Sequence, residues 1–199
     1  MLDPSDYPNH PDAVRWNQRY RKSTSTPNAC ELLRQHLYLL PRRGQALDLA
    51  SGLGGNALAL AQQGLQTSAW DISQVALDKL HQQAQQLDLP ITTQVIDLNC
   101  EAIPVAYFDC IVVSFFLNRQ LCPAISRALK PGGLLFYQTF TQDKVSDSGP
   151  SSSEFLLKNN ELISLFRDLE VRFYQELNRC GDLSQGDRNC AQLIAQKPR

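Results

Sequence analysis

The sequence predicts an α/β protein: a three-layer, doubly wound sheet that is mostly parallel and has an antiparallel final strand. Between residues 45 and 140, short apolar or β-branched runs alternate with segments of helical period, which is typical of βαβ units. The run at 108–115 is apolar enough for a strand buried on both faces. After residue 166, two strand-like runs follow each other through a polar, Gly-containing loop. We therefore expect helices on both faces of a parallel sheet, closed by an antiparallel strand.

The individual elements follow from local signals taken in chain order. Asn28 can cap a helix that Pro41 stops, and Ser73 is a good N-cap for the helix after the second strand. Strands are expected at residues 45–50, 66–71, 91–97, 108–115, 134–140, 169–177 and 189–196. Helices are expected at residues 12–20, 28–40, 56–63, 73–87, 117–129 and 159–166, with a turn at 131–133 and a polar loop at 144–153.

Length and composition indicate one domain. The chain has 199 residues, within the range of about 100–200 residues that is usual for a single domain. We divide it into an N-terminal helical arm or lid at 1–40, a cofactor-binding core at 41–142, and a helix plus two strands at 143–199. The net charge of −1 gives no electrostatic footprint for nucleic acid or for an anionic membrane.

The expected setting follows from what the sequence lacks. It shows no secretory signal and no run approaching the roughly 18 apolar residues of a membrane helix. The six cysteines form no C-x-x-C pair, so we expect no metal site. We expect a cytoplasmic protein, a monomer or weak dimer, whose partner is a small molecule.

The most informative stretch is residues 45–61, Q-A-L-D-L-A-S-G-L-G-G-N-A-L-A-L-A. A short apolar strand leads into a Gly-rich turn, where Gly52 and Gly54 allow backbone angles that a Cβ would forbid. The helix that follows directs free N–H groups into the turn, and the second strand then ends in Asp71. This layout is suited to an adenosine-containing cofactor, either a dinucleotide or S-adenosylmethionine (SAM).

Charge favours SAM over a dinucleotide. The run Gly52-x-Gly54-x-x-Ala57 satisfies the dinucleotide fingerprint. Asp48, however, lies in the strand behind the turn, where it would repel a pyrophosphate and attract the amine and sulfonium of SAM. Little chain is left after the fifth strand for the substrate domain of a dehydrogenase. A nicotinamide-dependent oxidoreductase remains the alternative.

The core resembles the class I SAM-dependent methyltransferases. Asp48-x-Ala50-x-Gly52-x-Gly54 is similar to their first motif, although Ala50 stands where the family usually has glycine. The resemblance implies a Rossmann-like methyltransferase fold. It also implies roles for further residues: ribose binding by Asp71, adenine contacts by Ile72, Asp97 and Leu98, and a carbonyl of Ser114 for the methionine amine.

A narrower resemblance is to the tellurite-resistance branch, which is similar in build to thiopurine methyltransferases. It is carried by W-N-Q-R-Y at 16–20, A-W-D-I-S at 69–73, N-R-Q-L from residue 118 and A-Q-L-I-A-Q-K-P near the end. It implies that Trp16, Arg19 and Tyr20 close over SAM. Asn118 and Arg119 are the substrate-side candidates, and Phe115 and Phe116 suggest an apolar wall for a small substrate.

Together these features predict a SAM-dependent methyltransferase that acts on a small molecule, either a thiol or a selenium or tellurium oxyanion. Such nucleophiles need no strong protein base, and the sequence identifies no catalytic base. A SAM-binding sensor without turnover is the second alternative.

Overall fold

Seven strands and six α-helices build the part of the chain that the computed structural model describes, residues 10–24, 27–98 and 102–199. The strands are β1 Gln45–Leu49, β2 Gln66–Asp71, β3 Ile91–Val95, β4 Phe108–Ser114, β5 Leu129–Phe140, β6 Glu170–Glu176 and β7 Cys190–Gln196. The helices are α1 Pro11–Lys22, α2 Glu31–Gln35, α3 Gly55–Gln62, α4 Gln74–Gln86, α5 Cys122–Ala128 and α6 Glu161–Leu165. Short 3₁₀ turns cover Leu37–Leu39, Arg119–Leu121 and Ser153–Phe155.

The strands form one sheet in the order β3-β2-β1-β4-β5-β7-β6. The first five are joined by parallel pairing, whereas β7 pairs antiparallel with both β5 and β6. The predicted mostly parallel sheet with an antiparallel final strand is therefore confirmed. The strand order reverses between β1 and β4, and such a switch point opens a crevice at the carboxyl ends of the strands.

Alternating side chains along the strands give the sheet two buried faces. On one face, Ala46, Val112 and Phe136 pack against leucines of α2 and α3. On the other face, Leu47 and Ile111 belong to the apolar cluster that includes residues of α5 and α6. Helices thus cover both faces, which leaves the carboxyl edge as the place where polar side chains can gather.

Several predicted elements were wrong in extent, including the fifth strand, which was expected at 134–140 but begins at Leu129. The helix expected at 28–40 is interrupted at His36, whose ring lies 4.6 Å from Phe173 and whose Nδ1 is 2.9 Å from the Leu32 carbonyl oxygen. The helix expected at 117–129 begins as a 3₁₀ turn, and α5 starts only at Cys122 because Pro123 suits a first turn. The turn expected at 131–133 lies inside β5, where Gly132 donates to the Lys197 carbonyl oxygen at 2.9 Å.

Within the described residues, no helix has the length and apolarity needed to cross a bilayer.

Candidate functional site

The Gly-rich turn between β1 and α3 is the centre of the site. Ala50, Gly52 and Gly54 all have left-handed backbones, with φ of 57°, 52° and 78°. A Cβ at Gly52 would come within 2.5 Å of the Tyr20 hydroxyl, and one at Gly54 within 2.4 Å of Leu80. Both glycines are thus required by conformation and by close approach. Within the described part of the chain, the buried Ser51 hydroxyl in this turn has no hydrogen-bond partner.

Asp48 is fully buried behind this turn. Its carboxylate accepts from the Asn56 side chain at 3.2 Å and from the Ala57 amide at 2.9 Å. Burial raises the pKa of Asp48 to about 7, although these hydrogen bonds oppose the rise. The carboxyl group therefore exchanges its proton near neutral pH.

Asn56 joins three parts of the site. Its amide nitrogen also donates to the Ser114 hydroxyl at 2.9 Å, and its oxygen accepts from the Cys30 amide at 2.9 Å. Asn56 therefore fixes the ends of β1 and β4 against the start of α2. The sequence analysis missed this residue, although a single amide in the apolar run of α3 was a usable signal.

Asp71 ends β2 directly beside the turn. One of its oxygens accepts from the Gly52 amide at 2.7 Å and the other from the Ser73 amide at 2.8 Å. Burial raises the pKa of Asp71, while the bonds from Ser73 and Gly52 lower it. Because a carboxylate has about four acceptor positions, both oxygens can still accept hydroxyl donors.

The end of β3 brings a third acid to the same edge. Asp97 is only 3% exposed, and the Nε2 of His10 lies 4.0 Å from its Oδ2. Leu98, beside it, is buried in the apolar cluster on the α5 face of the sheet. Three consecutive strands therefore end in or near a buried carboxyl group.

Helix α1 lies over this edge. The rings of Trp16 and Tyr20 stack with centroids 5.6 Å apart, and the Arg19 guanidinium lies 5.2 Å from the Trp16 ring. Burial and the neighbouring Asp71 raise the pKa of Tyr20. The structure thus places Tyr20 at the turn, with Trp16 beside it and Arg19 on the exposed side.

Two side chains dock α1 on α4. The Asn17 oxygen accepts from the Ser73 hydroxyl at 2.7 Å and from the Val75 amide at 3.1 Å. The Lys79 ammonium donates to the carbonyl oxygens of Tyr20 at 2.6 Å and Ser23 at 3.0 Å. Since Ser73 also contacts Asp71, the arm and this acid share one hydrogen-bond network.

Comparison with known proteins identifies the family of this chain. Residues 17–196 match the family model described as tellurite resistance protein TehB. The chain belongs to the TehB family. A curated TehB-family relative from Haemophilus influenzae, named a probable S-adenosyl-L-methionine-dependent methyltransferase TehB, is 31% identical over 152 residues. The match covers 73% of this chain and 52% of the relative, so the chain spans about half the length of the curated relatives it matches.

Solved structures confirm the predicted fold. The crystal structure of TehB from Haemophilus influenzae aligns with a TM-score of 0.69 at 24% identity, covering 92% of this chain and 67% of that one. A SAM-dependent methyltransferase from Aquifex aeolicus aligns with a TM-score of 0.63 at 16% identity, covering 98% and 99%. At these identities the likeness establishes the fold alone, which is the Rossmann-like fold that the sequence predicted.

The substrate-side candidates have structural contacts within this TehB-family fold. The Arg119 guanidinium pairs with the Glu161 carboxylate at 2.7 Å and donates to the carbonyl oxygens of Glu154 and Leu156. This pairing raises the pKa of Arg119 and lowers that of Glu161. The Asn118 side chain accepts from the Gln120 amide and so caps the 3₁₀ turn. A substrate role for either residue stays a prediction.

Metal ligands and cysteines add little to the site. Among the described residues, no group of histidine, cysteine and acidic side chains is placed to hold a metal ion. Cys30, Cys110, Cys122 and Cys190 are buried, whereas Cys180 is exposed. Cys100 lies outside the described residues.

Proposed function

We propose that this chain is a SAM-dependent methyltransferase that acts on a small molecule. The observation that carries the proposal is the row of buried acids, Asp48, Asp71 and Asp97, along the strand ends around the Gly-rich turn. Membership of the TehB family supports it, and the curated relatives are named probable S-adenosyl-L-methionine-dependent methyltransferases.

The residues at the turn fit the adenosine part of SAM. Each oxygen of Asp71 accepts one backbone amide and keeps capacity for a ribose hydroxyl. Gly52 lets the Tyr20 hydroxyl approach the main chain closely, and the unpaired Ser51 hydroxyl of the described turn offers a further polar partner. Asp97 and Leu98 would then meet the adenine edge.

Asp48 fits the methionine part of SAM. A buried carboxyl with a pKa of about 7 binds a cation more strongly once it has lost its proton. The same charge disfavours a pyrophosphate, so the site is less suited to a dinucleotide. Asn56 would orient Asp48 and Ser114 toward the methionine end through its hydrogen bonds.

Bound SAM would supply a methyl group on a positively charged sulfur. The role of the chain is then to align an acceptor with that methyl and to exclude water, the main sources of rate for such a displacement. Tyr20 and the rest of α1 would cover the site, held by Asn17 and Lys79. The acceptor class that needs no strong base is a thiol, or a selenium or tellurium oxyanion.

Ligand-dependent melting tests the proposal. SAM and S-adenosylhomocysteine should raise the melting temperature of the protein, whereas NAD and NADP should not. Methyl transfer is then measured with thiols, selenite and tellurite. A melting shift with the nicotinamide cofactors alone would refute SAM binding. Binding of SAM without any methylated product would indicate the sensor alternative.

A further inference from the structure

Helix α1 is held to the rest of the chain mainly by polar bonds. Of its 12 residues, only Ala13 is buried. A cavity of about 160 Å³ lies where the end of α1, the Gly-rich turn and α4 meet, and it is lined by Ser23, Pro27, Leu53, Lys79 and Gln83. An element with few buried apolar contacts opens at a low free energy. A few hydrogen bonds therefore decide how firmly α1 is docked.

Asn17 makes two of these bonds with a single atom. Its Oδ1 accepts from the Ser73 hydroxyl at 2.7 Å and from the Val75 amide at 3.1 Å. Ser73 is the N-cap of α4, and its hydroxyl also accepts from the Ala76 amide at 3.2 Å. Asn17 thus fastens α1 to the turn that leads from β2 into α4.

The same turn holds the acid that we assign to the ribose. The Ser73 amide donates to one oxygen of Asp71 at 2.8 Å, and the Gly52 amide donates to the other at 2.7 Å. Tyr20 lies three residues after Asn17, on the same side of α1, and its hydroxyl lies against Gly52. The contacts therefore form a closed loop from α1 to Asp71 and back to α1.

Ser73 is the link in this loop that transmits a change. Its amide donates to Asp71, while its hydroxyl donates to Asn17. Ribose hydroxyls that bind Asp71 would fix the carboxylate and, with it, the position of Ser73. Bonds that follow one another in such a network polarise and strengthen each other. A ligand on Asp71 is thus expected to strengthen the bond from Ser73 to Asn17.

Lys79 docks the same helix without this link. Its ammonium donates to the carbonyl oxygens of Tyr20 at 2.6 Å and Ser23 at 3.0 Å. Both bonds go to the backbone at the end of α1, and neither involves Asp71 or Ser73. Lys79 therefore offers a way to separate simple docking from coupling to the acid.

We infer that Asn17 is a positioning residue that couples the docking of α1 to cofactor binding at Asp71 through Ser73. The inference rests on the proposed SAM-dependent function. SAM would make α1 open less often, and the docked helix would tighten SAM binding by the same factor, because coupling between two sites is reciprocal. Without this coupling the cofactor still binds, but the helix opens more often and admits water to the site.

Hydrogen exchange of the α1 amides, with and without saturating S-adenosylhomocysteine, tests the inference in the full chain. In the wild type the ligand should slow this exchange by about tenfold. Asn17→Ala, which favours the helical conformation of α1, should reduce the slowing to less than about threefold. Calorimetry should show S-adenosylhomocysteine binding to Asn17→Ala about three- to fivefold more weakly than to the wild type.

Three control variants separate coupling from a merely structural role. Gln18→Ala removes the exposed amide next to Asn17 on α1 and should match the wild type. Asn17→Asp keeps the accepting oxygen and should restore the slowing to within about twofold of the wild type. Lys79→Met should speed exchange with and without the ligand alike, so that the slowing stays at about tenfold.

The outcomes distinguish two failures. If the wild-type chain binds neither SAM nor S-adenosylhomocysteine, the proposed function itself fails. If it binds them but Asn17→Ala keeps the full slowing, as expected for Lys79→Met, then Asn17 only docks the helix and the inference is overturned. It is also overturned if the ligand leaves α1 exchange unchanged in the wild type, or if Asn17→Asp behaves like Asn17→Ala.

Discussion

Asp48→Asn should stabilise the cofactor-free protein while weakening the proposed SAM site. Asp48 is fully buried, and its pKa rises from 3.8 to about 7 because burial disfavours the charged form. Below pH 3.8 the group is protonated in both the folded and the unfolded chain. Between pH 3.8 and about 7 only the folded chain keeps the proton, so stability falls as the pH rises.

The size of this effect follows from the pKa difference. A shift from 3.8 to about 7, at about 1.36 kcal/mol per unit, lowers the free energy of unfolding by about 4 kcal/mol at pH 8. Asparagine removes this penalty but turns a second amide NH₂ toward Asn56, which costs about 1 kcal/mol. The expected net gain is about 3 kcal/mol at pH 8 and less than about 1 kcal/mol at pH 5.

Denaturant unfolding of the cofactor-free protein at pH 5 and pH 8 measures the difference. Asp78→Asn, at an exposed acid on α4, is the control and should show no such pH-dependent gain. A gain for Asp48→Asn that is equal at the two pH values would refute the reasoning, because only a titrating buried group makes it pH-dependent. Calorimetry with S-adenosylhomocysteine should show weaker binding to Asp48→Asn, in keeping with a lost charge beside the amine.

Three further substitutions probe the rest of the site. Lys79→Met removes the two hydrogen bonds that the ammonium donates to carbonyl oxygens at the end of α1. Amide hydrogen exchange of that helix should therefore become about tenfold faster. Lys158→Met is the exposed control, and an unchanged exchange rate in Lys79→Met would contradict the docking role. Ala50→Gly relieves a left-handed φ of 57° and should raise the free energy of unfolding by roughly 0.5–1 kcal/mol. The penalty for a Cβ in this conformation exceeds the extra entropy that glycine gives the unfolded chain. A fall in stability would oppose this account. Arg119→Met should lower stability by about 1–2 kcal/mol at pH 7 and leave S-adenosylhomocysteine binding intact. The lowered pKa of Glu161 makes the ion-pair part of this loss disappear as the pH falls through that pKa, while the bonds to the two carbonyl oxygens persist. A loss of the same size at pH 7 and in acid would argue against the ion pair.

The fold was predictable because its signals are local. The apolar runs that became β1 and β4 are recognisable from their own residues, and Ser73 caps α4 as expected, accepting from the Ala76 amide. The helix expected at 28–40 failed for a tertiary reason. His36 contacts Phe173 on β6, a partner far along the chain that no local pattern reveals.

The same distinction applies to the site. Parallel strands bring their carboxyl ends to one edge, so the positions of Asp48 and Asp71 follow from topology once the strands are known. Side-chain partners do not follow in this way. Arg119 meets Glu161 across 42 residues and Lys79 meets the Tyr20 carbonyl across 59.

Such long-range partners decide what a charged residue near a strand end is able to do. Arg119 follows β4 by a few residues, the place where an acceptor-binding side chain is expected, and its sequence position alone favoured that role. Once its guanidinium is engaged by Glu161 and two backbone carbonyls, moving it to a substrate would expose those acceptors unpaired, which is unfavourable for partly buried groups. Phe115 carries no polar group that must be satisfied. It therefore keeps its side chain available at the same edge, whereas the arginine is engaged, and a substrate role for either residue stays a prediction.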